Sequence, residues 1–252
     1  MVLALVLVGL VAGSLGSMLG VGGGLLMVPY LTLVEGLPFP TAVGISLVAV
    51  TATSVGATGR YFSKGLVEVE LGVKLEAATI LGVLAAEPLF RLLPSSALTA
   101  GFAALLTLAS WRMVRGAPGH SGEEEGCPAW GDRRRRWLSY GVSGVAGSVG
   151  ALLGVGGGIL KVPVLTEVLR VNMHRAVATS TFMIGITAAA ASTMAVLGGR
   201  VVLESAAGLV LGVLPGAVVG SQLAPRVPQR TLRRAFGVLL AMVAVMMVRR
   251  IV

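Results

Sequence analysis

The chain has 252 residues, 55% of them hydrophobic and only 12% charged, with a formal net charge of +9. A soluble domain carries about 25% charged residues, so this composition excludes a soluble globular enzyme. Aromatics at 5% and a mean hydropathy of +0.90 assign the positive charge to membrane loops rather than to a nucleic-acid surface. The single cysteine, Cys127, excludes an internal disulfide or a multi-cysteine metal site.

About 20 mostly apolar residues suffice to cross a bilayer as a helix. Uncharged runs cover residues 1–34, 36–59, 92–111, 137–160, 176–199 and 205–225, and interrupted apolar stretches cover about 71–93 and 232–248. These predict eight membrane-embedded segments in an all-α polytopic protein. The first run has no Lys or Arg before it and so does not read as a secretory signal. Residues 112–136 are aqueous in character, with Glu123, Glu124, Glu125, Asp132 and the basic run Arg133, Arg134, Arg135 and Arg136. They predict a solvated linker, with the basic run meeting anionic lipid.

Gly20-Val21-Gly22-Gly23-Gly24 recurs as Gly154-Val155-Gly156-Gly157-Gly158, an offset of 134. The same offset pairs Pro29 with Pro163, Ser46 with Ser180, Thr53 with Thr187 and Phe102 with Phe236, and 14 of 20 positions over 13–32 are identical to 147–166. The expected organisation is a first transmembrane copy over 1–118, a linker over 119–134 and a second copy over 135–252, with four segments in each copy. Charge orients the copies. If all eight segments crossed, Lys and Arg would divide 12 against 7 with Lys161 left out; if the first segment of each copy folds back as a re-entrant hairpin, they divide 15 against 4. The positive-inside rule prefers the second arrangement. It predicts inverted repeats in a plasma (inner) membrane, with a cytoplasmic linker and both termini outside.

Three consecutive glycines are costly inside a helix, about 1 kcal/mol each relative to alanine. Irregular backbone at membrane depth survives only inside protein or beside a water-filled cavity. The two clusters therefore predict breaks between half-helices. The first amides of each following arm lack intrahelical acceptors and sit at a positive dipole end, which suits an anion. Gly22, Gly23, Gly24, Gly156, Gly157 and Gly158 are the candidate binding residues. The upstream glycines (Gly9, Gly13, Gly16, Gly20; Gly144, Gly147, Gly150, Gly154) read as helix-packing positions. Neither cluster is a Walker loop or a dinucleotide fingerprint.

At these residues the sequence resembles the sulfite exporter TauE/SafE family of membrane permeases. The matching parts are Leu19 to Gly24 with Val28-Pro29-Tyr30-Leu31, and Leu153 to Gly158 with Val162-Pro163-Val164-Leu165; residues 176–185 follow the family's second-half pattern, except that Thr181 often stands there as Asn. The resemblance covers essentially the whole chain. It implies transport of a small sulfur-containing anion, such as sulfite or an organosulfonate, coupled to protons.

Several polar residues are candidates on their own chemistry. Lys161 follows the second cluster by three residues and replaces Met27 of the first copy. It either adds a cation to the anion site or snorkels to the interface, and Lys161→Met is expected to weaken transport and leave folding intact. Ser46, Thr51, Thr53, Thr179, Ser180 and Thr187 offer hydroxyls to an oxyanion, or bond back to their own helices. Glu87, just before Pro88, is the proton-coupling candidate if burial raises its pKa, and Glu76 reads as interfacial. His120 falls in the linker and His174 in a loop, and no metal or other cofactor is implied. The expected function is a secondary transporter working by alternating access, with a small anion and membrane lipid as partners, a homo-oligomer allowed for and nucleic acid excluded. The alternatives are a permease or channel for another anion (thiosulfate, sulfate or a carboxylate), a membrane-embedded enzyme, and a structural subunit.

Overall fold

The computed structural model describes residues 2–115, 133–227 and 229–251. Cys127, His120 and residues 119–132 of the expected linker lie outside them, while its last two residues, Arg133 and Arg134, already open a helix. Among the described residues the chain is helical without strands. In chain order the helices are α1 (Val2–Leu19), α2 (Gly24–Leu33), α3 (Phe39–Ser63), α4 (Val69–Leu92), α5 (Ser95–Arg115), α6 (Arg133–Leu153), α7 (Gly158–Pro163), α8 (Met173–Leu197), α9 (Leu203–Leu223) and α10 (Gln229–Ile251). A π-helical turn, Val164–Val168, continues α7.

Five helices (α1, α3, α5, α8 and α9) are long and apolar enough to cross a membrane. Large apolar side chains such as Leu3, Leu81, Leu197 and Leu203 stand exposed on the outside, where a soluble protein would carry charge. The chain is a polytopic membrane protein.

The central pair is α3 and α8, each of 25 residues. Pro38 and Pro40 open α3, where a missing amide hydrogen costs nothing. The Asn172 side chain opens α8 by accepting the His174 amide at 3.0 Å, so His174 begins a helix rather than sitting in a loop. The two helices run antiparallel. Ser54 Oγ donates to Thr181 O at 2.7 Å, and a β-carbon on Gly44 near the start of α3 would stand 2.6 Å from Arg200 O, just past the end of α8.

Two glycine seams flank this pair. Along one, α1 runs parallel to α9: β-carbons on Gly9 and Gly13 would stand 2.6 and 2.7 Å from the carbonyls of Leu209 and Val213, and Ser14 Oγ donates to Gly216 O at 3.0 Å. Along the other, α4 runs parallel to α6, with Gly82 against Gly144, Gly147 against Thr79, and Ser148 Oγ donating to Gly82 O at 2.8 Å. Absent side chains let these backbones touch, as membrane helices do when apolar burial offers no drive between them. Gly9, Gly13, Gly144 and Gly147 are therefore packing positions. Gly20 and Gly154 also pack closely, on the backbones of Val177 in α8 and Val43 in α3, and belong besides to the turns described next.

Candidate functional site

The helix ending at Leu19 does not resume until Gly24, and the one ending at Leu153 resumes at Gly158. Between them, Gly20, Gly22 and Gly23 take φ of 70°, 82° and 81°, and Gly154, Gly156 and Gly157 take 73°, 71° and 79°. Left-handed backbone costs other residues roughly 1–2 kcal/mol each, which is why glycine recurs here. Each turn sends the chain back along the helix it has just left. The amides of Val21 and Gly22 both donate to Gly16 O, those of Val155 and Gly156 to Gly150 O, and β-carbons on Gly23 and Gly157 would stand 2.5 Å from Ala12 O and 2.6 Å from Ala146 O.

The arms are unequal, which corrects the expectation of paired half-helices. The 18 residues of α1 reach about 27 Å, nearly a full span, whereas the ten of α2 reach about 15 Å. Of the two arms joined by the first turn, only the returning one is short.

Gly22 and Gly156 both lie against Val50 and Ile184, near the middles of α3 and α8, so the two turns meet at the centre of the bundle. Reciprocal bonds tie them together: Ser46 Oγ donates to Gly154 O and Ser180 Oγ to Gly20 O, each at 2.8 Å. Gly24 and Gly158 pack on those same carbonyls, too closely to admit a side chain. The first-turn amides of Gly24 and Leu25, and of Gly158 and Ile159, have no intrahelical acceptor.

A cavity of about 60 Å³ opens beside the second turn, lined by Leu19, Val21, Ala109, Gly158, Ile159 and Thr166. One water needs about 10–15 Å³ of such space, so there is room for a small oxyanion. Arg112 and Glu167 stand at its edge, 3.3 Å apart.

Lys161 neither snorkels nor stands free. It is 1% exposed, with Nζ 3.0 Å from Glu76 Oε2 and 2.5 Å from Thr187 Oγ1, and Thr187 in turn donates to Glu76. Glu76 is 2% exposed and not interfacial, because α4 begins at Val69 and carries it two turns inside. The expectation that Lys161→Met leaves folding intact therefore changes: that variant strands a buried carboxylate.

The other candidates divide. Thr51 and Thr53 bond back to Leu47 O and Ala49 O, both at 2.9 Å. Thr179 accepts the Glu68 amide at 3.0 Å, which anchors the loop before α4. Glu87 accepts Arg200 Nη2 at 2.7 Å and Arg91 Nε at 3.3 Å. Both arginines hold it at a mouth of the bundle, about 580 Å³ in volume. Sequence reasoning missed Glu76, Arg200 and Arg112 as partners.

The family described as Sulfite exporter TauE/SafE matches residues 5–247. The chain belongs to that family. This TauE/SafE protein is a membrane transporter and not an enzyme. It is similar to a protein named "Probable membrane transporter protein YunE" of Bacillus subtilis (strain 168), at 24% identity over 95% of this chain and 94% of the relative. Two proteins named "Probable membrane transporter protein" are also similar. One, from Xylella fastidiosa (strain 9a5c), is 27% identical over 96% of this chain and 92% of its own. The other, from Haemophilus influenzae (strain ATCC 51907 / DSM 11121 / KW20 / Rd), is 25% identical over 98% and 97%. No solved structure matches.

Proposed function

We infer that this permease carries a small sulfur-containing oxyanion, sulfite or an organosulfonate, across the plasma membrane with proton coupling. Its two copies are inverted and alternate access by rocking against each other. The helix bounds support the duplication: α2, α3, α4 and α5 begin 134 residues before α7, α8, α9 and α10. The inversion is supported by equivalent helices, α3 and α8, lying antiparallel, and by the 15-to-4 division of basic residues. That division supports a cytoplasmic linker and both termini outside.

The observation that carries the reading is the cavity at the meeting point of the two turns. It touches Val21 of one and Gly158 and Ile159 of the other. Amides at the start of a helical arm are donors suited to an oxyanion. Thr166 stands at the cavity wall with its hydroxyl donating to Val162 O at 3.0 Å. Ser46 and Ser180 hold the turns together and leave the solute to the backbone, and lipid covers the exposed apolar faces.

The test is ligand-induced thermal stabilisation of the purified protein across sulfite, thiosulfate, sulfate and sulfonates. Sulfite or a sulfonate is expected to raise Tm in a saturable way, with sulfate weaker. Stabilisation by none of them contradicts the reading, and stabilisation by a carboxylate alone moves it to another anion.

A further inference from the structure

We propose that Glu76, Lys161 and Thr187 form the coupling site of this permease, at which a proton taken up by Glu76 frees the Lys161 ammonium for the transported anion. The proposal rests on the permease reading above.

The chain supplies its own control. At the offset of 134, Lys161 corresponds to Met27, Glu76 to Val210 and Thr187 to Thr53. The first copy packs the same turn with Met27 fully buried and no charge. The fold therefore does not need an ion pair at this place. A buried pair adds no stability over well-packed apolar side chains, and an intramembrane ionisable residue is retained for function.

Position supplies the second argument. Lys161 lies on the returning arm, three residues beyond Gly158, and its amide donates to Gly157 O at 3.2 Å. Thr187 lies one turn from Ile184, which touches Gly22, Gly156 and Gly158. The triad thus adjoins the second turn; it does not line the cavity, but Lys161 shares its short arm with Gly158 and Ile159, which do. Facing Glu76 are Lys161 of α7 and the Thr187 hydroxyl of α8. The neighbouring α6 offers glycines and Ser148 to this stretch of α4. Glu70 and Lys74 stand at the start of α4, paired with each other, and His174 and Arg175 are exposed at the start of α8.

Charge balance makes the coupling obligatory. With Glu76 ionised the pair is neutral, and an anion entering alone meets no free cation. A proton on the carboxylate leaves one net positive charge, which one anion cancels. The empty site and the doubly loaded site are both neutral. Each singly loaded state leaves one uncompensated charge in a low-dielectric interior, where it is expensive. One proton therefore accompanies each monoanion carried.

The experiment compares the full-length protein with Glu76→Gln, using sulfite. Proton uptake on binding is read in weakly buffered detergent solution, and pH-gradient-driven accumulation and anion exchange are read in proteoliposomes. The wild type is expected to take up one more proton per bound sulfite than Glu76→Gln; the subtraction removes sulfite's own titration. Glu76→Gln is expected to keep sulfite exchange and lose uphill accumulation. If that variant does not fold, the double variant Glu76→Val/Lys161→Met, which copies the residues of the other turn, takes its place. It is expected to fold and to lose both the extra proton and the sulfite-induced rise in Tm. Accumulation with wild-type pH dependence in whichever variant folds overturns this inference alone. A wild type that moves no sulfite overturns it together with the permease reading.

Discussion

The two glycine turns share a backbone and differ in what surrounds it. Their positive φ values agree within about 11°, and each is tied by a serine at 2.8 Å. Around the first turn the packing is mainly apolar: Met27 is buried beside it, and Met247 packs under the returning arm against Thr32 at 3.7 Å. Around the second stand a buried lysine and glutamate on one side and a cavity edged by Arg112 and Glu167 on the other. At the offset of 134, the counterpart of Arg112 is the exposed Met246. On the reading proposed above, the first turn is scaffold and the second carries the chemistry.

The most disruptive way to break this contrast is Lys161→Met alone. It strands Glu76 in the interior and should cost about 3–5 kcal/mol, read as a loss of thermal stability in detergent. Adding Glu76→Val should restore most of that loss, because the pair of changes reproduces the first turn; a double variant as unstable as the single one would show that the turns are not equivalent scaffolds. Next are Gly23→Ala and Gly157→Ala. Each forces alanine into left-handed backbone and drives its β-carbon onto a carbonyl 2.5 or 2.6 Å away, so each should lose at least about 2 kcal/mol, and by similar amounts. Ser46→Ala and Ser180→Ala sharpen the shared part, since each removes one buried hydrogen bond and should cost about 1 kcal/mol. Unequal losses there would place the asymmetry in the backbone tie as well. The smallest effect is expected from Arg91→Ala. Its side chain is 73% exposed, and Glu87 keeps Arg200, so stability should change by less than about 0.5 kcal/mol. Arg200→Ala should cost more, because that guanidinium also lies 4.2 Å above the Phe90 ring.

Much of this was legible in the sequence. The offset of 134 fixed where α7, α8, α9 and α10 begin, because apolar runs and glycine clusters are local signals that survive duplication. The unequal arms were not legible, since a run of apolar residues carries no mark of where within the membrane it turns. Nor was the fate of the hydroxyls: Thr51 bonds to its own helix and Ser46 to the other copy, and only the packing separates them. The ion pairs were legible by a signal that went unread. Among the described residues, four pairs join the copies: Glu68 with Arg175, Glu76 with Lys161, Glu87 with Arg200 and Arg112 with Glu167. All eight residues stand where the other copy has an uncharged one: Val202, Thr41, Val210, Met27, Ser221, Leu66, Met246 and Leu33. A charge that departs from its repeat needs a partner, and here the partner is another departing charge.

The central claim, that a small sulfur oxyanion passes through the cavity between the turns, is tested most directly by sulfite flux in proteoliposomes with wild-type protein and Ala109→Leu. Ala109 is 1% exposed and lines the cavity, so leucine fills the space from α5 without altering a residue of either turn. The account predicts saturable flux in the wild type and its loss in a variant that stays folded with unchanged Tm. Equal flux through both proteins would contradict it.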